Sequence, residues 1–494
     1  MWYFLIGILL LVIGYFTYGK LVEKILGPDD RKTPEEINPD GVDYVELPHW
    51  KNMLIQLLNI AGIGPVIGVI LGIKFGSIVF LIIPIGNIIG GAVHDFAGGM
   101  MSLRLNGANL PVIVQKMLGK HYARAFSFFT CFLLLLVVAV FINIPANLID
   151  LLIPSAKCFW IAVIGIFIYY ILATFFSVDK IIGKIYPIFG IILIASSFVL
   201  LVALLFQLFK DPALMTPNAD FVKNMFTMEN HHPVIPVLFV TIACGIISGF
   251  HATQSPIIAR TMKTERQARS SFYGMMIVEG IIAMIWAGGG MAIYNLFPEY
   301  MMNDENPTKV LESITTHFLS KELGTLTIIG VIVLAITSGD TAMRSLRLSL
   351  AELFAIPQTK LANRILVCIP LIVIVSGLLW WSNLSVESFK HLWNYFSWAN
   401  QVLAATTLLA ATAWLRARKR NYWITLVPAL FMVFIVWTYI LWISEAHNGP
   451  VGIGLDWTVA CILGAILAVG SVAWAYWRGN KIAPADTGDE VQTK

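Results

Sequence analysis

Two apolar stretches of membrane length are broken by glycine and proline at corresponding places, Ala61-Gly-Ile-Gly-Pro-Val-Ile-Gly68 and Ala243-Cys-Gly-Ile-Ile-Ser-Gly-Phe-His-Ala-Thr-Gln-Ser-Pro256. In hydrocarbon, backbone N–H and C=O groups have to be satisfied within the chain, so unwound backbone at membrane depth is tolerated only beside protein or a watery cavity. Each break opens a group of five apolar stretches. That pattern predicts an inverted repeat with one shared site where the two breaks meet.

Composition sets the environment. Hydrophobic residues make up 58% of the chain and charged residues 13%, against about a quarter charged in soluble proteins. The longest polar intervals, near Leu21 to Lys51, Lys210 to Pro233 and Pro298 to Glu322, are too short for a separate core. Apolar windows of about 20 residues predict an all-α polytopic membrane protein with about 13 transmembrane helices. They divide into a leading helix and loop (1–50), a first five-helix repeat (51–209), a second (234–415), two trailing helices (421–477) and a polar tail (478–494). The two units run in opposite directions, as a 5+5 inverted repeat requires. The tail reads as a short disordered end.

With the N-terminus outside and the C-terminus cytoplasmic, 26 of the 33 Lys and Arg residues fall on the cytoplasmic side, which is the positive-inside pattern. The net charge of +4 then answers to anionic lipid and calls for no nucleic acid. Met1 to Gly19 has no basic n-region or small-residue cleavage site and reads as a retained first span. Cys131, Cys158, Cys244, Cys368 and Cys461 fall one per span, a spacing that sets neither a disulfide framework nor a metal motif. No Walker A sequence, zinc-ligand spacing or nucleophile elbow appears. An ion gradient, or the solute's own gradient, is left as the energy source.

The stretches Ile60-Ala-Gly-Ile-Gly-Pro65, Gly90-Gly-Ala-Val-His-Asp-Phe96, Ala243-Cys-Gly-Ile-Ile-Ser-Gly-Phe-His-Ala252, Ser338-Gly-Asp-Thr-Ala-Met-Arg344 and Ser397-Trp-Ala-Asn-Gln401 resemble, in the same order, the carbon starvation protein A (CstA) family. The resemblance runs from about Asp43 to Ala413. It implies an importer of the cell inner membrane, associated with peptide uptake and with pyruvate uptake during nutrient limitation. It also implies a fold similar to the LeuT-like amino acid/polyamine/organocation transporters. The chain is shorter than the long members of that family.

In the first break, Gly62, Gly64 and Pro65 free several backbone groups from the helical ladder. A half-helix N-terminus suits a substrate carboxylate and freed carbonyls suit a cation; the alternative is a packing kink. In the second break, Gly245 and Gly249 accompany Ser248, His251, Thr253, Gln254 and Ser255, which offer contacts to a carboxylate, an amide or an amine. The hydroxyls also suit bonding to their own helix. His251 reads either as a proton carrier or as a neutral structural histidine.

His94 and Asp95 lie within the third span, where an ionisable residue costs about 2.5–3.5 kcal/mol on insertion scales and faces a cavity or a partner. They read as a proton relay or inner closure, against an anchor on Arg104 or Arg260. Thr337, Ser338 and Asp340 present oxygens for a small cation, Na+ or H+, and Na+ at Thr337 and Ser338 is the one metal candidate. The competing reading is an Asp340 to Arg344 pair at i,i+4, with Arg344 and Arg347 otherwise facing lipid headgroups as positive-inside anchors or an inner gate. Glu279 is a lone carboxylate that pairs with a loop arginine or serves function. Asn394, Ser397, Asn400 and Gln401 share a helical stripe that glues helices or lines a polar route.

The reading that unites these features is a non-enzymatic secondary transporter without cofactor. It imports peptides or pyruvate by symport with H+ or Na+, among membrane lipids. A membrane sensor that binds solute without moving it is the alternative, and a channel is another, though two paired breaks suit alternating access better than a continuous pore.

Overall fold

A computed structural model describes residues 2–153, 157–175, 182–215, 232–302, 307–447 and 451–488. Among these residues there is no β-strand. Eleven helices are long and apolar enough to cross a membrane, or twelve when one bent pair is counted as a single span. They are α1 (Trp2–Leu26), the bent pair α2 (His49–Ile60) and α3 (Gly64–Phe75), and α4 (Val79–Arg104). A short amphipathic α5 (Leu110–Leu118) precedes α6 (Lys120–Leu152), α7 (Cys158–Phe175) and α8 (Ile182–Lys210). The second set is α9 (Val234–Ile242) with α10 (Gly249–Ala259), α11 (Glu265–Leu296), α12 (Lys321–Leu353) and α13 (Leu361–Ser382). It ends with α14 (Val386–Ala417), α15 (Trp423–Trp442) and α16 (Trp457–Gly479). The 32-residue α14 covers the stretch expected from His391 to Leu415, but Asn394, Ser397, Asn400 and Gln401 make it less apolar than the eleven.

Both expected breaks are present. Pro65 has no N–H to donate and its ring excludes a preceding carbonyl, so Ala61 to Ile63 leave the helix and the axis bends by 55° between α2 and α3. α9 ends in a tight turn at Ala243–Gly245, and α10 starts after Ser248, whose backbone is extended (φ −135°, ψ 126°). The breaks cross in backbone contact because Gly64, Gly68 and Gly72 repeat every fourth residue along α3. A Cβ on these glycines would come within 2.1 Å of Cys244, 2.8 Å of the Thr241 carbonyl and 1.9 Å of Ile242. Such a small-xxx-small strip is the packing device of membrane helices, which lack a hydrophobic force between them.

The pair α9 and α10 occupies the centre, with α10 against α2, α4, α12 and α14. α7, α13 and α16 turn apolar side chains outward. Ile161 is 67%, Val373 67% and Ile466 62% exposed, as lipid-facing positions are.

The loops at 27–48, 104–109 and 260–266 share one face, rich in arginine and called here the basic face. Leu21 to Lys51 is no loose linker, since Thr33 and Asp43 in it are buried. The chain after α16 also differs from expectation. Residues up to Gly488 are docked, with Trp414 Nε1 donating to the Thr487 carbonyl at 3.0 Å and Arg31 Nη1 to the Gly488 carbonyl at 2.7 Å. Composition suggested disorder; an indole and a guanidinium supply the anchors that composition does not register.

Candidate functional site

A small cavity lies where the two breaks cross, walled by Ile60, Gly62, Gly64, Pro65, Phe141, Cys244, Ser248, Phe250, His251 and Phe396. Its volume is about 10 Å³, room for about one water. Three aromatic rings crowd it: Phe141 meets Phe250 edge-on at 5.9 Å and Phe396 at 6.0 Å. Asn400 of α14 covers the N-terminus of α10. Its Oδ1 accepts from the Phe250 N–H at 2.7 Å and from the Ser248 hydroxyl at 3.0 Å, while Nδ2 reaches Cys244 Sγ at 3.1 Å. The amide oxygen thus stands where a helix N-terminus attracts an anion. A much larger apolar cleft, about 720 Å³, opens between α14, α15 and α16, away from the breaks.

On one side of the cavity is a buried ionisable cluster. His251 Nδ1 faces Asp95 at 3.1 and 3.3 Å, His94 Nδ1 faces the same carboxylate at 2.8 Å, and His251 Nε2 lies 3.7 Å from Glu279 Oε1. Side-chain exposure is 1% for His251 and 0% for Asp95, His94 and Glu279. A carboxylate only accepts, so each Nδ1 directs its proton at Asp95. Neither oxygen of Glu279 makes a hydrogen bond, and neither does His94 Nε2. Asp95 is therefore not tied to Arg104 or Arg260, and Glu279 meets a histidine rather than a loop arginine. Packing against an element far away in sequence decided both.

A second buried carboxylate lies on the other side. Asp340 Oδ2 accepts from the hydroxyls of Tyr186 at 2.8 Å and Tyr169 at 3.1 Å, and Oδ1 accepts no hydrogen bond. The Thr337 carbonyl lies 2.9 Å from the same Tyr186 oxygen and shares its single proton with Asp340. The Ser338 hydroxyl donates across to the Leu58 carbonyl at the end of α2, 2.8 Å away, whereas Thr337 bonds back to Val333 and Leu334 in its own helix. Arg344 and Arg347 are buried, not snorkelling. Arg344 reaches Asp43 at 3.1 Å and Arg347 lies 3.7 Å from it. Burial works to raise the Asp43 carboxyl, but the charges of Arg344, Arg347 and Arg260 outweigh it and hold it below the usual value.

Among the other expected residues, Gly245 packs against Val69, Ala283 and Pro65 at the crossing. Gln254 sits deeper on α10, donating to Thr253 and Ser345, and Thr253 and Ser255 bond to their own helix. Gln401 is buried with no hydrogen bond on its side chain. Among the described residues no three His, Cys, Asp or Glu side chains are arranged to hold a metal ion.

The basic face is closed beneath the site. Arg104 makes two bonds to Glu265, 2.7 and 2.8 Å, and reaches the Gly27 carbonyl and Asp29. Hydrogen bonds from Arg31, with the charges of Arg104 and Arg31, draw the Asp29 carboxyl down to about 2 against the effect of partial burial. Leu47 and Asn52 bond to the Thr261 carbonyl, and Arg260 to Gly107 and Asn109.

The model of the carbon starvation protein CstA family matches residues 1–207, 192–287 and 306–439. The chain belongs to the CstA family. An uncharacterized membrane protein of Haemophilus influenzae is 39% identical over 64% of this chain and 94% of its own. The peptide transporter CstA of Bacillus subtilis is 28% identical over 56% of this chain and 56% of its own. The pyruvate/proton symporter BtsT of Escherichia coli is 23% identical over 58% of this chain and 48% of its own. This CstA-family chain thus aligns with about half the length of its named relatives, which are transporters, not enzymes. Its fold is that of solved LeuT-like transporters. An Eremococcus coleocola manganese transporter superposes with TM-score 0.54 at 14% identity, covering 90% of this chain and 99% of that one. A nucleobase-cation-symport-1 family transporter in a closed conformation gives 0.53 at 14% identity, covering 91% and 98%.

Reading the sequence missed Tyr169, Tyr186 and Asp43, whose partners lie far away in the chain. It also missed Gln56 and Asn59 of α2, buried with no side-chain hydrogen bond. Those two were detectable as polar residues just ahead of the first break, within a membrane-length segment.

Proposed function

We propose that this CstA-family protein is a secondary active transporter of the cell inner membrane that imports a small carboxylate-bearing solute, a peptide or pyruvate, in symport with a cation. The family membership and the names of its relatives support transport. The observation that carries the reading is the crossing of the two breaks around a closed cavity. At about 10 Å³ the cavity is too small for either solute, so loading and release require the broken helices to move apart on one side at a time. The crossing is built for that, because two unwound segments meet there instead of two continuous helices.

In this reading the basic face is cytoplasmic, the N-terminus is outside, and α14 brings the number of crossings to about 13. The solute carboxylate displaces the Asn400 oxygen from the N-terminus of α10, with Ser248 and His251 beside it and Gly62, Gly64 and Pro65 opposite. Gln254, Gln401 and Gly245 serve the route and the hinge. A cation enters between the Ser338 hydroxyl and the Leu58 carbonyl, with Thr337 and Asp340 nearby, and His94 and Asp95 handle protons. The intact Arg104–Glu265 pair marks the inward side as shut.

The test is uptake by the reconstituted protein of labelled pyruvate and of a labelled dipeptide under separately imposed proton and sodium gradients. Accumulation of one solute with one gradient is expected. Binding of a solute without uptake under either gradient would replace transport by sensing.

A further inference from the structure

The cluster around His251 holds one group that the proposed roles do not use. Glu279 sits midway along α11, fully buried, with both oxygens free of hydrogen bonds and His251 Nε2 3.7 Å from Oε1. The charged and titratable groups around it are few. From α4 come Asp95 and His94, and from the second break and α10 come Cys244 and His251. α2, which also packs on α11, buries only uncharged polar side chains, Asn52, Gln56 and Asn59. Lys74 on α3 lies against Tyr294, fifteen residues or about 22 Å further along α11. Arg269 is paired with Glu23 and Arg104 with Glu265. Among the described residues no lysine or arginine pairs with Asp95 or Glu279. Two carboxylates and two imidazoles in a membrane interior reach zero net charge only by sharing two protons, since uncompensated charge there is strongly disfavoured.

We propose that Glu279 carries the coupling proton, exchanging it with His251. The proton leaves Nε2 of the imidazolium and joins Glu279 Oε1, giving a neutral imidazole and a neutral carboxyl. The Nδ1–H stays directed at Asp95, and the net charge of the pair does not change. His251 also walls the solute cavity and rides on α10, while Glu279 rides on α11. Movement of the second break therefore closes or widens the 3.7 Å gap, and proton transfer needs roughly hydrogen-bond distance, about 2.6–3.2 Å. Solute and proton thereby meet on opposite sides of one imidazole. This inference rests on the transporter reading.

The test compares wild type, Glu279→Gln and Glu279→Asp in liposomes, using labelled pyruvate and a labelled dipeptide. Two modes are measured: accumulation driven by a proton gradient, and counterflow exchange with no gradient, each across a pH series. Glu279→Gln is expected to lose at least about tenfold in accumulation while counterflow stays within about twofold and loses its pH dependence. Glu279→Asp is expected to keep part of the accumulation with a displaced pH profile. Unchanged accumulation and pH profile in Glu279→Gln would overturn the inference. So would equal loss of both modes in a folded protein, since that marks a solute-binding or structural role. If Glu279→Gln does not fold, the pH profile of Glu279→Asp decides, and an unshifted profile counts against it. Wild-type protein that moves neither solute would sink the transporter reading instead. The proton on Glu279 is then read by infrared difference spectroscopy as a carboxyl band that titrates in wild type and is missing from Glu279→Gln.

Discussion

Asp95 and Asp340 are both fully buried carboxylates flanking the first break, and their surroundings are opposite in kind. Asp95 has imidazoles on both sides, rings that offer a donor on one nitrogen and a donor or acceptor on the other. Asp340 has two tyrosine hydroxyls on a single oxygen, partners that donate hydrogen bonds and keep their protons, and its second oxygen is left without one. In the proposed transporter the first region changes its own charge, and the second receives charge from outside, beside the Ser338 hydroxyl that bridges to the end of α2. Partner chemistry, rather than burial, separates the two.

The largest effect that would break this contrast is expected for Asp95→Asn. Removing one member of a buried charge pair costs about 3–5 kcal/mol, and accumulation driven by a proton gradient should fall to background with a marked drop in melting temperature. Near-normal accumulation would mean that the histidine cluster is only scaffolding. Next comes Tyr186→Phe, which removes the one hydroxyl proton shared by Asp340 and the Thr337 carbonyl. A loss of about 1–3 kcal/mol in thermal unfolding is expected, larger than for Tyr169→Phe, whose bond is longer. If Asp340 receives a cation, Tyr186→Phe also shifts the sodium concentration for half-maximal uptake and leaves the pH profile unmoved; the reverse pattern would merge the two regions into one.

Ser338→Ala removes the bridge from α12 to α2 and should cost about 1 kcal/mol, read as a modest rise in the sodium needed. An unchanged sodium response would clear the α2–α12 contact of any role in coupling. The smallest effect concerns the seal. The Asp29 carboxyl is drawn down to about 2, so its stabilising charge is complete above the ordinary carboxylate range and is lost only as pH falls toward that low value. Proteolysis of the 27–48 loop should therefore be the same at about pH 7 and about pH 5. Transport changes in that interval are then not due to loss of the Asp29 charge, and loop cleavage that rose with acid would contradict that.

The breaks were legible because proline and glycine act locally on the helical ladder, and Asp95, Glu279 and Asp340 stood out by their rarity in apolar sequence. Their partners were not legible. Asp95 and His251 are 156 positions apart, and nothing local announces that α4 and α10 pack together. Local periodicity suggested Arg344 for Asp340, yet Arg344 extends to Asp43, 301 positions away. The strip Gly64, Gly68, Gly72 did carry its signal in plain spacing, and it explains why the breaks can touch. Gln56 and Asn59 were visible as polar residues in an apolar segment, but only the fold shows that α2 buries both.

The bond from Arg31 to the Gly488 carbonyl joins positions 457 apart. A chain made from its N-terminus forward presents Arg31, Asp29 and Arg104 long before the residues that cover them exist. The bonds to Thr487 and Gly488 are therefore the last of the basic-face closure to form. Until residues 487 and 488 have been made, that face lacks its final cover.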